Sequence, residues 1–159
     1  MNTFNARLGL AMLVLANLVT IVSISTPNWM ESELGNMGLW VNCTGQKCDS
    51  VFDNAHGYAI KDSLIATQCL MSIGQLVILV ALVLACSEMC CKYTGCNYTQ
   101  CVFGFLSIGE VLIGVAVVIF GVTSSRDIGA GNFGWSFWLA VVANVMIILT
   151  TLLYQCCSM

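Results

Sequence analysis

Polar and apolar positions along this chain fall into long blocks. Four apolar runs, at residues 8–25, 65–86, 101–122 and 135–154, are separated by polar segments at about 26–64, 87–100 and 123–134. At 1.5 Å per residue each run reaches roughly 27–33 Å, the thickness of a bilayer's hydrocarbon core. Nothing in hydrocarbon can pair with a bare backbone amide, so each run must close its own hydrogen bonds and is predicted as a helix. The first polar segment is the one sizeable block outside the spans. Within it Met37 to Cys43 partly alternates and is rich in strand formers, Thr44-Gly45-Gln46-Lys47 reads as a turn, and Cys48 to Phe52 returns antiparallel. A Cys43–Cys48 disulfide would close that hairpin and stabilise it by about 2 kcal/mol through chain entropy. The predicted fold class is an all-α membrane protein, one domain over residues 1–159. It is a left-handed four-helix transmembrane bundle with a small disulfide-closed extracellular antiparallel β-sheet.

Composition fits a chain that lives in lipid. Of 159 residues, 58% are hydrophobic and 8% charged, with a single proline. That is too little charge to cover a water-soluble surface of this size. The first run, preceded by Arg7, is long for a signal-peptide core and has no convincing small-residue cleavage site after it. It is read as a retained signal anchor. Positive charge does not set the orientation, because Arg7 and Lys92 on one side oppose Lys47, Lys61 and Arg126 on the other. Chemistry sets it instead. Asn42-Cys43-Thr44 is a glycosylation sequon, and Cys43 with Cys48 suits an oxidising compartment, which places the first loop outside and both termini in the cytoplasm. The second sequon, Asn97-Tyr98-Thr99, then stays unmodified. The first loop carries Glu31, Glu33, Asp49, Asp53 and Asp62 against Lys47 and Lys61. This acidic surplus reads as solvation, and would favour cations if the loop lined a pore.

Trp29, then Gly38-Leu39-Trp40, then Cys43 and Cys48, in the setting of four spans, resembles the signature of the claudin, peripheral myelin protein and epithelial membrane protein superfamily. The resemblance covers the whole chain and is sharpest in this motif. Gln68 stands where claudins carry an arginine and the myelin and epithelial membrane proteins a glutamine. Leu39 to Thr44 includes the sequon typical of that second branch, and Gly134-Trp135-Ser136-Phe137-Trp138-Leu139-Ala140 is similar to the start of the family's fourth helix. There are departures. Four residues between Cys43 and Cys48 are fewer than claudins usually show, and the second loop, residues 123–132, is very short. Residues 155–159 lack the tyrosine-valine ending by which many claudins bind junction scaffolds. The resemblance implies a non-enzymatic claudin-like protein at cell–cell junctions of the plasma membrane. It would support adhesion or a paracellular barrier by lateral and trans association of its loops, with a second copy or related claudin-like proteins. The alternatives are an auxiliary subunit regulating an ion channel or receptor, and a myelin-type organiser of membrane apposition. Trp29, Gly38, Leu39 and Trp40 would position the loop, the tryptophans resting on helix ends or the lipid interface, and Cys43 with Cys48 would hold it.

Within the spans, Asn17, Gln75, Glu110 and Asn144 fall at similar depth, one to a helix. An acidic residue near a helix centre costs about 3 kcal/mol to insert, so Glu110 must face protein or water. Ser107, Gly114 and Gly121 repeat every seven residues on the face that carries Glu110, a stripe suited to close packing. Gln68 stands seven before Gln75, and Ala140 and Ala143 flank Asn144. The expectation is a hydrogen-bonded midplane cluster in which Glu110 is protonated and donates. Such a cluster acts as interhelical glue worth about 1 kcal/mol per bond, and a proton or cation site is the alternative. On the cytoplasmic side, Cys90, Cys91, Cys156 and Cys157 are candidate palmitoylation sites. Cys90, Cys91, Cys96 and Cys101 lack the paired Cys-x-x-Cys spacing of a zinc site. Cys156-Cys157-Ser158-Met159 fits a prenylation box only by chance. His56, with Asp53 nearby, completes no catalytic arrangement, and neither a phosphate-cradling glycine motif nor a basic patch for nucleic acid occurs. No enzymatic activity, cofactor or metal is expected, and the lipid bilayer is the first partner.

Overall fold

The computed structural model describes residues 3–32, 35–52, 61–90, 98–128 and 133–158. Helices α1 (Thr3–Ser25), α2 (Lys61–Cys90), α3 (Tyr98–Ile128) and α4 (Trp135–Ser158) form the bundle. Strands β1 (Met30–Ser32), β2 (Gly35–Met37), β3 (Val41–Thr44) and β4 (Lys47–Ser50) lie between α1 and α2. Each helix holds a stretch long and apolar enough to cross a membrane: Arg7–Ser25, Asp62–Ser87, Thr99–Ser125 and Trp135–Gln155. The helices outrun the spans expected from hydropathy, most clearly where α2 continues to Cys90 and α3 starts at Tyr98. Lipid thickness limits the apolar run, not the helix, which continues until a breaker intervenes. For α1 the breaker is Pro27, whose ring disfavours helical backbone at Thr26.

The helices form a ring in which α2 packs most extensively on α3 and α1 on α4, closed by α3–α4 and α1–α2 contacts. Leu13, Met71, Ile78, Leu106, Ile113 and Ile147 are fully enclosed, while Leu18, Leu76, Val83, Val111 and Val118 point outward. Apolar side chains face both ways because the surrounding solvent is hydrocarbon. The burial that drives soluble folding therefore contributes little between these helices, and close packing must replace it. Gly74 and Gly109 provide it for α2 and α3. A Cβ on Gly109 would lie 2.4 Å from Ile78 Cγ1, and one on Gly74 would lie 2.8 Å from Ile113 Cγ1. The seven-residue stripe on α3 turns toward α4 instead, with Gly114 against Asn144 and Gly121 against Phe137.

The strands form an antiparallel meander in the order β1-β2-β3-β4. Thr44 pairs with Lys47 across a two-residue turn in which Gly45 takes a φ of 62°, a conformation glycine adopts at little cost. The expected hairpin is thus present as β3 and β4, but Met37 to Cys43 is not one continuous strand. It breaks at Gly38-Leu39-Trp40, and the segment before the break pairs with β1 as well as β3. The Gly38 N–H donates to the Val41 carbonyl at 2.9 Å, a tight loop that accompanies complete burial of Leu39. Enclosing a leucine is worth about 2 kcal/mol, which favours the break between the two central strands.

Candidate functional site

The motif residues meet where the sheet sits on the bundle. Trp29 is fully buried. Its indole N–H donates to the Ser23 carbonyl at 2.7 Å, satisfying one of the acceptors that the end of α1 leaves unpaired. Phe120 of α3 and Phe137 of α4 meet the indole edge-on, with centroids 4.9 and 5.9 Å away. Phe133 stacks on Phe137 at 4.5 Å. Edge-to-face and offset contacts are the favoured geometries of such rings, so Trp29 is a plug joining three helices beneath the sheet. Of the two resting places expected for the tryptophans, the helix ends hold Trp29. Trp40 is half-buried, its ring 6.4 Å from that of Phe52, which is 56% exposed.

Backbone bonds then stitch distant segments together. The Trp29 N–H donates to Met37 and the Trp29 carbonyl accepts from Gly134, both at 3.0 Å, and the Asn28 carbonyl accepts from Ser136 at 3.1 Å. Met30 bridges Phe133, so the chain entering α4 lies along β1 as a further partner. No side chain fits at Gly134, where a Cβ would lie 2.2 Å from the Asn28 oxygen. Gly38 is constrained in the same way, 2.5 Å from Pro27 Cα. The Ser23 hydroxyl donates to the Ser136 carbonyl at 2.7 Å, and the Asn36 amide donates to Asn28 Oδ1 at 2.8 Å. Below the break in the strand, the Leu39 carbonyl accepts from the amide of Gln68, itself 4% exposed. Cys43 and Cys48 stand opposite each other on β3 and β4 and are bonded. Asn42 is half-buried in β3 between Met37 and Asp49, while Glu31, Lys47 and Asp49 are exposed. The outer edge of β4 has no strand partner among the described residues.

The polar residues of the spans form two separate bonded pairs. The Gln75 amide donates to Asn17 Oδ1 at 2.9 Å, joining α2 to α1, and the Asn17 amide donates to the Leu13 carbonyl at 2.9 Å. The Thr151 hydroxyl donates to Glu110 Oε2 at 2.9 Å, joining α4 to α3. Asn144 lies against Gly114, and its Oδ1, like Oε1 of Gln75, is buried without a partner among the described residues. Thr151 escaped the sequence reading, although it lies seven residues after Asn144 and so on the same helix face. Phe120 and Phe133 escaped it too, and Gly134 and Phe137 entered it only through the likeness of residues 134–140 to the start of the family's fourth helix. Cys91, His56, Glu33 and Asp53 fall outside the described residues, and Cys90, Cys156 and Cys157 lie in the last turns of α2 and α4. Among the described residues no three His, Cys, Asp or Glu side chains come together.

Four membrane-crossing helices under a disulfide-closed sheet, with Trp29 and Leu39 set into the bundle beneath it, define a four-span membrane protein built around its first loop. The chain belongs to the PMP-22/EMP/MP20/Claudin family, whose model matches residues 6–154. The comparison with curated proteins gave no match.

Proposed function

We propose that this protein acts, without catalysis, at cell–cell junctions of the plasma membrane, supporting adhesion or a paracellular barrier. In this reading the sheet lies outside and both termini lie in the cytoplasm. The observation that carries it is the construction of the sheet. Trp29, Leu39 and Gly134 fasten one side of it to the four helices, while β4 offers Lys47, Cys48 and Asp49 exposed along an edge with no strand partner among the described residues. A rigidly held strand edge can pair with another chain through main-chain bonds, so copies or related proteins associate side by side and present their loops to a facing membrane.

A second reading is an organiser of membrane apposition of the myelin and epithelial membrane protein type. Gln68 at the entry of α2, together with the sequon at Asn42, favours it. Tagged protein expressed in cells that lack such junctions tests the proposal. It predicts enrichment at boundaries between two expressing neighbours and none where one neighbour is bare. Even distribution at both boundaries contradicts adhesion, and co-purification would then be used to seek a channel or receptor partner.

A further inference from the structure

We infer that glycan attachment at Asn42 and closure of the Cys43–Cys48 disulfide compete during synthesis, so that the time of disulfide closure sets the glycosylated fraction of the protein. The inference rests on the reading that the first loop enters the secretory lumen. The sequon Asn42-Cys43-Thr44 and the disulfide share Cys43. Side chains alternate along a strand, so Asn42 and Thr44, the two residues a glycosyl transferase must grip, project from the same face of β3. Asn42 stands opposite Met37 on one side and Asp49 on the other, and Thr44 stands opposite Gly35 and Lys47. That face also carries Met30, which is buried, and Met37, which packs on the core. Asn42 therefore lies between two paired strands and is half-buried. A transferase that must surround it can use only the opened chain.

The order of synthesis decides what closes the chain. In the finished molecule the sheet is anchored by Gln68 on Leu39, by Phe133, Gly134 and Ser136 on β1 and Asn28, and by Phe120 and Phe137 around Trp29. Apart from the bond from Trp29 to the Ser23 carbonyl of α1, the anchors lie C-terminal to the sequon, on segments that emerge after it. Until they arrive, four strands of three or four residues are a ribbon of marginal stability in water. The disulfide is the closure that needs nothing beyond Cys48. It therefore decides whether Asn42 meets the transferase in an open or a shut sheet.

The two reactions consume different atoms, and closing the disulfide shuts the sheet in which Asn42 lies. Closing the disulfide transfers two electrons and two thiol protons to the disulfide of a lumenal thiol oxidoreductase, which leaves as a dithiol. Glycosylation joins Asn42 Nδ2 to C1 of a lipid-pyrophosphate-linked oligosaccharide. The bond from C1 to the pyrophosphate oxygen breaks, the lipid pyrophosphate departs with that electron pair, and the amide gives up a proton.

The test is the glycosidase-sensitive mobility shift of the full chain translated into microsomes, with Asn42→Gln identifying the band. Wild type is expected to be modified in part. Cys48→Ser, which keeps the sequon, and wild type made in the presence of dithiothreitol both rise severalfold toward completion. Gln68→Ala, which frees the loop from α2 but keeps both cysteines, stays at the wild-type level. Complete modification of wild type, equal modification of wild type and Cys48→Ser, or a rise for Gln68→Ala as large as for Cys48→Ser each overturns the inference. Protease protection of the first loop separates the two readings. A lumenal loop whose modification does not respond to Cys48→Ser sinks the competition alone, and a loop on the cytoplasmic side sinks both.

Discussion

Replacing Trp29 by alanine would empty the space enclosed by Phe120, Phe137 and the end of α1, and would leave the Ser23 carbonyl only the longer bond from the Thr26 hydroxyl at 3.4 Å. Truncating an aromatic in a closed core costs about 3–5 kcal/mol. The expected result is a lowered thermal midpoint in detergent and loss of protease resistance in the first loop, with helix content unchanged by circular dichroism. Gln68→Ala should act in the same direction by about 1–3 kcal/mol, because it strands the buried Leu39 carbonyl. Gly134→Ala forces a methyl group into the Asn28 oxygen, and should release the β1–Phe133 bridge, read as faster hydrogen exchange at Met30. Trp29, Gly38, Leu39, Cys43 and Cys48 were legible in the sequence because their spacing is local. The bonding role of Ser136 was not, since its partners Ser23, Thr26 and Asn28 all lie more than 100 positions earlier.

At the scale of elements, the helices were legible because hydrocarbon leaves the backbone one solution, and Pro27 marks where α1 stops. Strands β1 and β2 were not. Each has three residues, and β2 opens on Gly35, too short for an alternation to show. Nor does sequence say which helix a glycine faces. The α3 stripe meets α4, whereas the tight approach of α2 and α3 rests on Gly74 and Gly109. Gly109→Leu should overpack that seam and cost about 1–3 kcal/mol, seen as a lower unfolding midpoint with the first-loop disulfide still formed. Cys48→Ser tests the sheet. Losing so short a loop closure should cost about 2 kcal/mol and leave the bundle assembled, while the first loop becomes open to protease.

For the whole molecule, the four helices hold one side of the sheet fixed, and the polar pairs Asn17–Gln75 and Glu110–Thr151 tie neighbouring helices within that frame. The midplane was legible as a level of polar residues, but its division into two pairs depends on rotations of helices that periodicity does not fix. The central claim is that the first loops of facing copies associate, and it can be tested without other cellular components. Purified protein is reconstituted with the sheet outward into vesicles of two colours, and pairing between colours is counted by fluorescence cross-correlation. The account predicts pairing when both populations carry the protein, lost when the first loop is cleaved by protease. Absence of pairing between two loaded populations, or equal pairing with protein-free vesicles, would contradict it.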